Sequence, residues 1–540
     1  MRDRPAVAIL VAVWLLSVLI WLRPGITRPD GVGYFAYLPS TYFDHDLVLF
    51  NEWQHFGMLP DGMIASEGLT PNGHLADHWT VGSAVVWYPA VIVADILRAA
   101  APPLRHFLRD GISLPYNAAA VSASAVCGLI ALLTGFAIAR RFFTPSAALL
   151  ATIGTWFGSS LMWYSTREAL MAHAASAAAC ALVVLASLED EWLGAGVAAG
   201  LAFSIRPQNA TFIAVPFLIA ALPAFRHWLV IIGGFIAGAL PQLVVTVVLY
   251  GNPLILFNIA PGNAQRPWHS FEQFWPWQPI FSWYHGLGTW TPLMLLAIVG
   301  LPLLVRAHRG IGAAAILMVI AQWLANATLD RFFWAGSSFG QRRFDNCTIF
   351  FLLGLAAIFQ FIPKWLSVLI TAAGSIWTMA LFFAAQTIDL NRYYAPEELL
   401  AAALKLPKRI DLLEAVPNEF KLRVLITFVA VAIVYGIVAA AMRRRAAFIA
   451  AVFCVLMAGW FAICGANDAS RMNEWSNVIA RNRAFEPNSG AVRDRLALLR
   501  DEEDYLRRTG NANAAEATRR DITALEKSIP SPKRGPAPVP

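Results

Sequence analysis

The residues best suited to do chemistry in this chain lie in the stretch 30–53, DGVGYFAYLPSTYFDHDLVLFNEW. Asp30 follows Trp21, Arg23 and Pro24, so a first apolar helix ending near Leu22 leaves its carboxylate close to headgroup level, where a lipid-linked substrate presents its phosphate. A carboxylate in that place can serve as general base for a hydroxyl acceptor. The plainer alternative is a solvated loop with an aromatic belt of Tyr34, Phe35 and Tyr37. Asp44, Asp46 and Glu52 follow, and Gly31 and Gly33 permit tight turning.

Five further patches carry groups suited to an anionic ligand. His74, Asp77 and His78 close the first loop, as phosphate donors or as surface histidines. The segment YSTREALMAH, 164–173, offers Glu168 and His173. Five residues apart, these point roughly 140° away from each other on a regular helix, so one of them is expected to be structural. Arg206 precedes Pro207 where two short helices are expected to meet, and an arginine at membrane depth either binds an anion or snorkels to headgroups. The loop 251–288 holds Trp268, Trp275, Trp277, Trp283 and Tyr284 with Arg266, His269 and His285, an interfacial belt or an aromatic shelf for a sugar ring or polyprenyl chain. Last comes DRFFWAGSSFGQRRFDN, 330–346, where the tandem Arg342 and Arg343 have the planar donor geometry for phosphate or pyrophosphate.

The elements that must position these groups are apolar helices. The chain has 540 residues, 58% hydrophobic and 14% charged, with a mean hydropathy of +0.56, and its apolar residues recur in blocks of membrane-spanning length. Its net charge of +7 does not indicate nucleic acid, because Lys and Arg sit in short clusters between apolar blocks, as positive-inside topology requires. Cys127, Cys180, Cys347, Cys454 and Cys464 have neither zinc spacing nor a disulfide pattern. The absence of a Walker loop, a dinucleotide glycine loop, HExxH and tandem repeats removes the usual warrants for ATP-driven transport and zinc proteolysis. Residues 6–22 resemble a signal-peptide core without a cleavage site and read as a retained anchor.

Two arginines ahead of the first helix put the N-terminus in the cytoplasm and Asp30 outside. From Asp30 to Asp77 there are seven acids and no Lys or Arg, as suits a translocated loop. Residues 80–97 are apolar enough to span, but spanning would force residues 192–222 into one long helix with Arg206 inside it. A membrane-hugging segment is therefore expected there, against the local arginines 98, 105 and 109. The spans then fall near 5–22, 114–139, 144–164, 169–188, 191–205, 207–222, 228–250, 289–305, 311–328, 347–362, 365–386, 422–441 and 446–464, about thirteen in all. Arg226, Arg306, Arg309, Lys364 and the cluster 443–445 share the cytoplasmic side. The pairs Gly196/Gly200 and Gly234/Gly238 signal close helix packing. Residues 465–540 form a polar extracytoplasmic tail, partly helical and disordered at its end.

In their order and sidedness, DGVGYFAYLPS, DHWTVGSAVVWYPA, MAHAAS, SIRPQN, HGLGTWTP and SFGQRRF resemble the GT-C superfamily of integral membrane glycosyltransferases, which includes protein O-mannosyltransferases and aminoarabinose transferases, and more closely its poorly characterised bacterial branch. The resemblance covers residues 1–465. It implies an all-α GT-C-like bundle over residues 1–464, with extracytoplasmic juxtamembrane helices in the first loop, 23–113, and a second long outer loop, 251–288. It also implies a multi-pass protein of the bacterial inner membrane with its active site outside. The implied reaction moves a sugar from a polyprenyl-phosphate donor to a hydroxyl on an envelope glycan, lipid or protein, with inversion. Asp30 takes the role of base, and His74, His78, Glu168, His173, Arg206, His285, Arg342 and Arg343 that of substrate ligands. No cofactor is certain; a divalent metal is left open but unsupported, since the family's second acidic residue has only Glu168 or His173 as counterpart. The lysine that meets the lipid phosphate in aminoarabinose transferases is absent, with His74 or His78 its nearest substitutes. A polyprenyl-linked glycan flippase or an O-antigen-ligase-like transferase are the competing readings.

Overall fold

The computed structural model describes residues 3–25, 29–56, 70, 72, 74–75, 77–220, 224–253, 274–328, 333–405, 413, 416–442 and 445–483, with isolated positions between 503 and 527. Asp61, Glu67, Arg266, Trp268, His269, Asp330, Arg443, Arg444 and most of the tail lie outside the described residues. The order is α1 (Arg4–Trp21), α2 (Pro29–Pro39), α3 (Phe50–His55), α4 (Gly82–Ala100), α5 (Leu114–Phe142), α6 (Pro145–Gly158), α7 (Leu161–Thr166), α8 (His173–Leu188), α9 (Trp192–Ile205), α10 (Ala214–Ile219) and α11 (Phe225–Tyr250). After two single turns follow α12 (Pro292–Ala307), α13 (Arg309–Thr328), α14 (Thr348–Phe361), α15 (Lys364–Ala384), α16 (Pro396–Ala403), α17 (Asn418–Met442) and α18 (Ala446–Arg483).

Among the described residues nine helices are long and apolar enough to cross a membrane, and α8, α9 and α12 are shorter apolar helices. The outward faces are themselves apolar: Ile236, Ile376, Ile433, Ile437 and Leu456 are more than half exposed. Water would penalise such faces, whereas hydrocarbon accepts them and the helices satisfy their own backbone groups. The protein is an all-α, polytopic membrane protein.

Two ion pairs mark one end of the bundle, Arg140 with Asp3 at 2.9 Å and Arg141 with Glu189. At the opposite end the Arg23 amide donates to the Thr166 carbonyl, α8 begins at His173 and α9 stops at Ile205. The helix α4 shows how these ends organise the first loop. It is long and apolar enough to cross, yet just before it Thr80 Oγ1 donates to the Ile205 carbonyl at 2.6 Å, and near its end Asp95 accepts from Tyr116 Oη, two residues into α5, at 2.9 Å. Both ends are thus fastened at the end remote from Arg141.

The paired glycines do what their spacing implies. A Cβ at Gly196 would meet the Ile231 carbonyl oxygen at 2.2 Å and one at Gly238 the Val197 carbonyl oxygen at 2.3 Å, so α9 and α11 pack backbone to backbone.

Four boundaries differ from the expected ones. The expected span 207–222 is a 3-10 turn, Pro207–Ile213, followed by a six-residue helix, Ala214–Ile219. The expected span 144–164 breaks at Ser159 and Ser160, where α6 ends and α7 begins. The expected helix from 169 starts only at His173, because residues 167–172 form turns. The last helix continues past residue 464 to Arg483, and its residues 467 and 468 are bound to the first loop rather than released as a tail.

Candidate functional site

Asp30 occupies the first turn of α2, where a carboxylate suits the positive end of the helix. The stretch around it is a helix rather than the turn its glycines permit. Gly33 is needed for close approach instead, since a Cβ there would lie 2.0 Å from the Trp79 ring. Tyr37 Oη donates to the Trp79 carbonyl at 3.1 Å, and the Trp79 amide donates to Asp77 Oδ1 at 2.8 Å. This docking holds residues 77–80 against α2 and brings His78 within electrostatic reach of Asp30.

Arg342 reaches the same place from a 3-10 turn, Arg342–Cys347, ahead of α14. The turn is set by a loop with left-handed backbone at Ala335, Gly336 and Gly340, φ 64°, 68° and 60°. Gln341 Nε2 donates to the Phe333 carbonyl at 2.6 Å, the Phe339 amide donates to Tyr164 Oη at 2.9 Å, and the Phe339 ring stacks on Trp163 with centroids 4.9 Å apart. So held, Arg342 Nη1 lies 2.8 Å from Asp30 Oδ2.

Arg206 is an extended residue, φ −152° and ψ 120°, between α9 and a 3-10 turn Pro207–Ile213 that leads into α10. Two short helical pieces do meet at Arg206 and Pro207. Asn209 caps the break, its Nδ2 donating to the Ala202 carbonyl and to Ser176 Oγ. Arg206 Nη1 lies 2.6 Å from His173 Nδ1, and Gln208 Nε2 donates to the Arg343 carbonyl at 3.0 Å, tying the two arginine-bearing segments together.

The site has a rim and a floor. Asp30, Tyr34, His78, Arg206, Arg342 and Arg343 are half-buried, whereas Ser160, Tyr164, Glu168, His173 and Asp345 are buried. On the floor His173 Nδ1 lies 3.1 Å from Asp345 Oδ2, and Asp345 Oδ1 accepts from the Ser160 hydroxyl. On the rim, burial pushes the Asp30 carboxyl up, but the charges of Arg342, His78 and Arg206 and the Arg342 hydrogen bond more than offset it, leaving Asp30 below its ordinary value and ionised. The rim can bind a phosphate through guanidinium groups and present a carboxylate beside it.

Of the groups singled out in the sequence, Asp30, His78, His173, Arg206, Arg342 and Arg343 come to this end of the bundle, with Glu168 close enough for Arg342 and Tyr164 to sense its charge. The helical argument separating Glu168 from His173 does not apply, because a turn intervenes. His74 goes elsewhere: its Nε2 binds Asp468 at 2.7 Å. So does His285, which donates from Nε2 to the Leu390 carbonyl at 2.8 Å and packs on Trp290. Sequence reasoning missed Tyr34, Ser160, Tyr164 and Asp345. The only signal for Asp345 was its place two residues after Arg343, and an acid beside tandem arginines reads as their neutraliser. Among the described residues no group of three or more His, Cys, Asp or Glu could hold a metal ion.

No protein-family model matches the sequence, and no curated protein matches it. Among solved structures the chain is similar to ArnT. The crystal structure of ArnT from Cupriavidus metallidurans bound to undecaprenyl phosphate aligns over 85% of this chain and 76% of that one, at 15% identity and a TM-score of 0.43. The apo state of the same protein aligns over 85% and 75%, at 15% identity and a TM-score of 0.42.

Proposed function

We propose that this protein is a GT-C-type membrane glycosyltransferase that moves a sugar from a polyprenyl-phosphate donor to a hydroxyl acceptor, at the extracytoplasmic face of a bacterial inner membrane. The observation that carries the reading is the pairing of Asp30 with Arg342 at 2.8 Å, on a rim that also holds Arg206 and Arg343. A base and a set of phosphate ligands are what this reaction needs side by side, and here they sit at the mouth of a bundle whose outer faces suit lipid.

Guanidinium groups of Arg342 and Arg206 bind the donor phosphate, with Arg343 behind them. As Arg342 turns from Asp30 to the phosphate, Asp30 is released to meet the acceptor. The acceptor hydroxyl attacks the anomeric carbon, its proton passes to an Asp30 carboxylate oxygen, and the bond from that carbon to the phosphate oxygen breaks. The electron pair stays on the phosphate, where the arginines stabilise the growing charge. Attack opposite the leaving group inverts the anomeric centre without a covalent sugar intermediate.

Lipid analysis of membranes lacking the protein tests the reading: a glycosyl polyprenyl phosphate should accumulate, and restoring the gene should remove it. Unchanged lipid-linked sugars would sink it.

A further inference from the structure

The first loop leaves α2 through a π-helical turn, Ser40–Asp44, and returns through residues 74–80 to α4. Asp30 stands on the helix from which the outgoing limb leaves and His78 lies in the returning limb, so the loop's closure determines how the two face each other. The last long helix, α18, reaches across to close it. Trp460 Nε1 donates to the Thr41 carbonyl at 3.1 Å, Cys464 Sγ lies 3.7 Å from the same oxygen, and Asn467 Nδ2 donates to the His45 carbonyl at 3.0 Å. The next residue, Asp468, takes both limbs at once with its carboxylate: Oδ1 accepts from the Leu47 amide at 2.8 Å and Oδ2 from His74 Nε2 at 2.7 Å.

We infer that Asp468 is a positioning residue, a carboxylate clamp from α18 that pinches the two limbs of the first loop together and so fixes Asp30 and His78 relative to the arginines of the rim. Both partners are buried, His74 at 6% and Asp468 at 2% exposure, so water cannot replace the contacts cheaply. The returning limb is further braced by the Thr70 amide donating to the His74 carbonyl at 2.8 Å, and the outgoing limb by Ser40 Oγ donating to Asp46 Oδ1 at 3.0 Å. Those bonds stay within one limb. Asp468 joins the two limbs, and it comes from the far end of the chain. The inference about catalysis rests on the proposed transferase reading; the clamp itself does not.

The test combines hydrogen exchange with kinetics on the full chain in lipid nanodiscs, comparing Asp468→Ala, which loses both contacts, with Asp468→Asn, which keeps an acceptor for the Leu47 amide. Asp468→Ala should speed exchange of amides in 40–48 and 74–80 by about tenfold or more while those of α5 and α14 keep the wild-type rate. Turnover should fall about tenfold with donor KM within about twofold of wild type, because the phosphate-binding arginines stand on other elements. Asp468→Asn should fall between. Unchanged exchange in both limbs would overturn the clamp, and exchange rising equally in every helix would make Asp468 an ordinary stabilising residue. If wild-type protein transfers no sugar from any polyprenyl phosphate, the transferase reading falls, and the exchange pattern still decides the clamp.

Discussion

Arg342 Nη1 stands 2.8 Å from Asp30 Oδ2, although the two residues lie far apart in the sequence and in separate elements, the first turn of α2 and the 3-10 turn before α14. Each is held by its own packing: α2 against Trp79 through Gly33, and the 342–347 turn through Gln341 and Phe339. The pair joins a proton acceptor to an anion ligand, and most of what can be tested in this protein follows from it.

Asp30→Asn removes the proton-accepting charge while keeping the shape of the side chain. Turnover in vesicles supplied with a polyprenyl-phosphate sugar should fall by about 10² or more, the usual scale for losing a general base, while donor affinity stays near wild type. Near-normal transfer at matched expression would move the role of base to another acid.

Arg342→Gln should displace the acid limb of the pH–rate profile. Arg342 is the strongest influence holding Asp30 below its ordinary value against burial, so without it the carboxylate protonates at higher pH and the acid limb moves up. The sign for stability runs the same way. A carboxylate with a depressed folded-state pKa contributes stability above its unfolded value, and that contribution disappears as pH falls through the depressed value, so the loss of stability on acidification should be smaller in the variant. Thermal unfolding across acidic pH, beside the rate profile, checks both; an acid limb that does not move would separate Asp30 from the reaction.

Arg206→Lys and Arg343→Lys keep the charge but lose the planar fork. Binding of the proposed polyprenyl-phosphate donor by purified protein should weaken about tenfold for each, about 1.4 kcal/mol, with folding retained. Undiminished binding by one variant would assign that arginine's side chain a structural part.

Gly82→Ala should destabilise the fold. The new methyl would lie 2.2 Å from the Ser204 carbonyl carbon and 2.3 Å from the Ile205 nitrogen, backbone atoms that cannot turn aside, so a cost of about 1–3 kcal/mol is expected in detergent unfolding. An unchanged melting temperature would mean that the start of α4 sits less tightly on α9 than described.

Cysteine labelling in intact cells should find positions 141 and 189 on one side of the membrane and positions 173 and 343 on the other. Labelling of all four from the same side would refute the helix order on which the site's sidedness rests.

What the sequence by itself determined is the part written in local pattern. Runs of apolar residues without charge specify helices that only lipid can solvate, and no folded partner is needed to read them. Gly196, Gly200, Gly234 and Gly238 announced a close helix crossing, since small residues at that spacing have few other uses in membranes. Arg206 beside Pro207 marked a break, Asp30 stood out by its place just past the first helix, and the tandem arginines stood out because on the outer side they run against the positive-inside bias.

The tertiary structure decided everything that depends on distance across the bundle. Spacing along the chain says nothing about whether Asp30 meets Arg342 or Arg343, and only the loop through Ala335 and Gly336 sets which guanidinium arrives. Asp345 reads from its neighbours as a counter-ion, yet the fold turns it to Ser160 and His173 on the floor. His74 looked like a phosphate donor four residues from His78, but α18 returns from the far end of the chain to bind it through Asp468. A polar group in a bilayer must find a partner inside the protein, and that partner is chosen by helix packing, which no local pattern encodes.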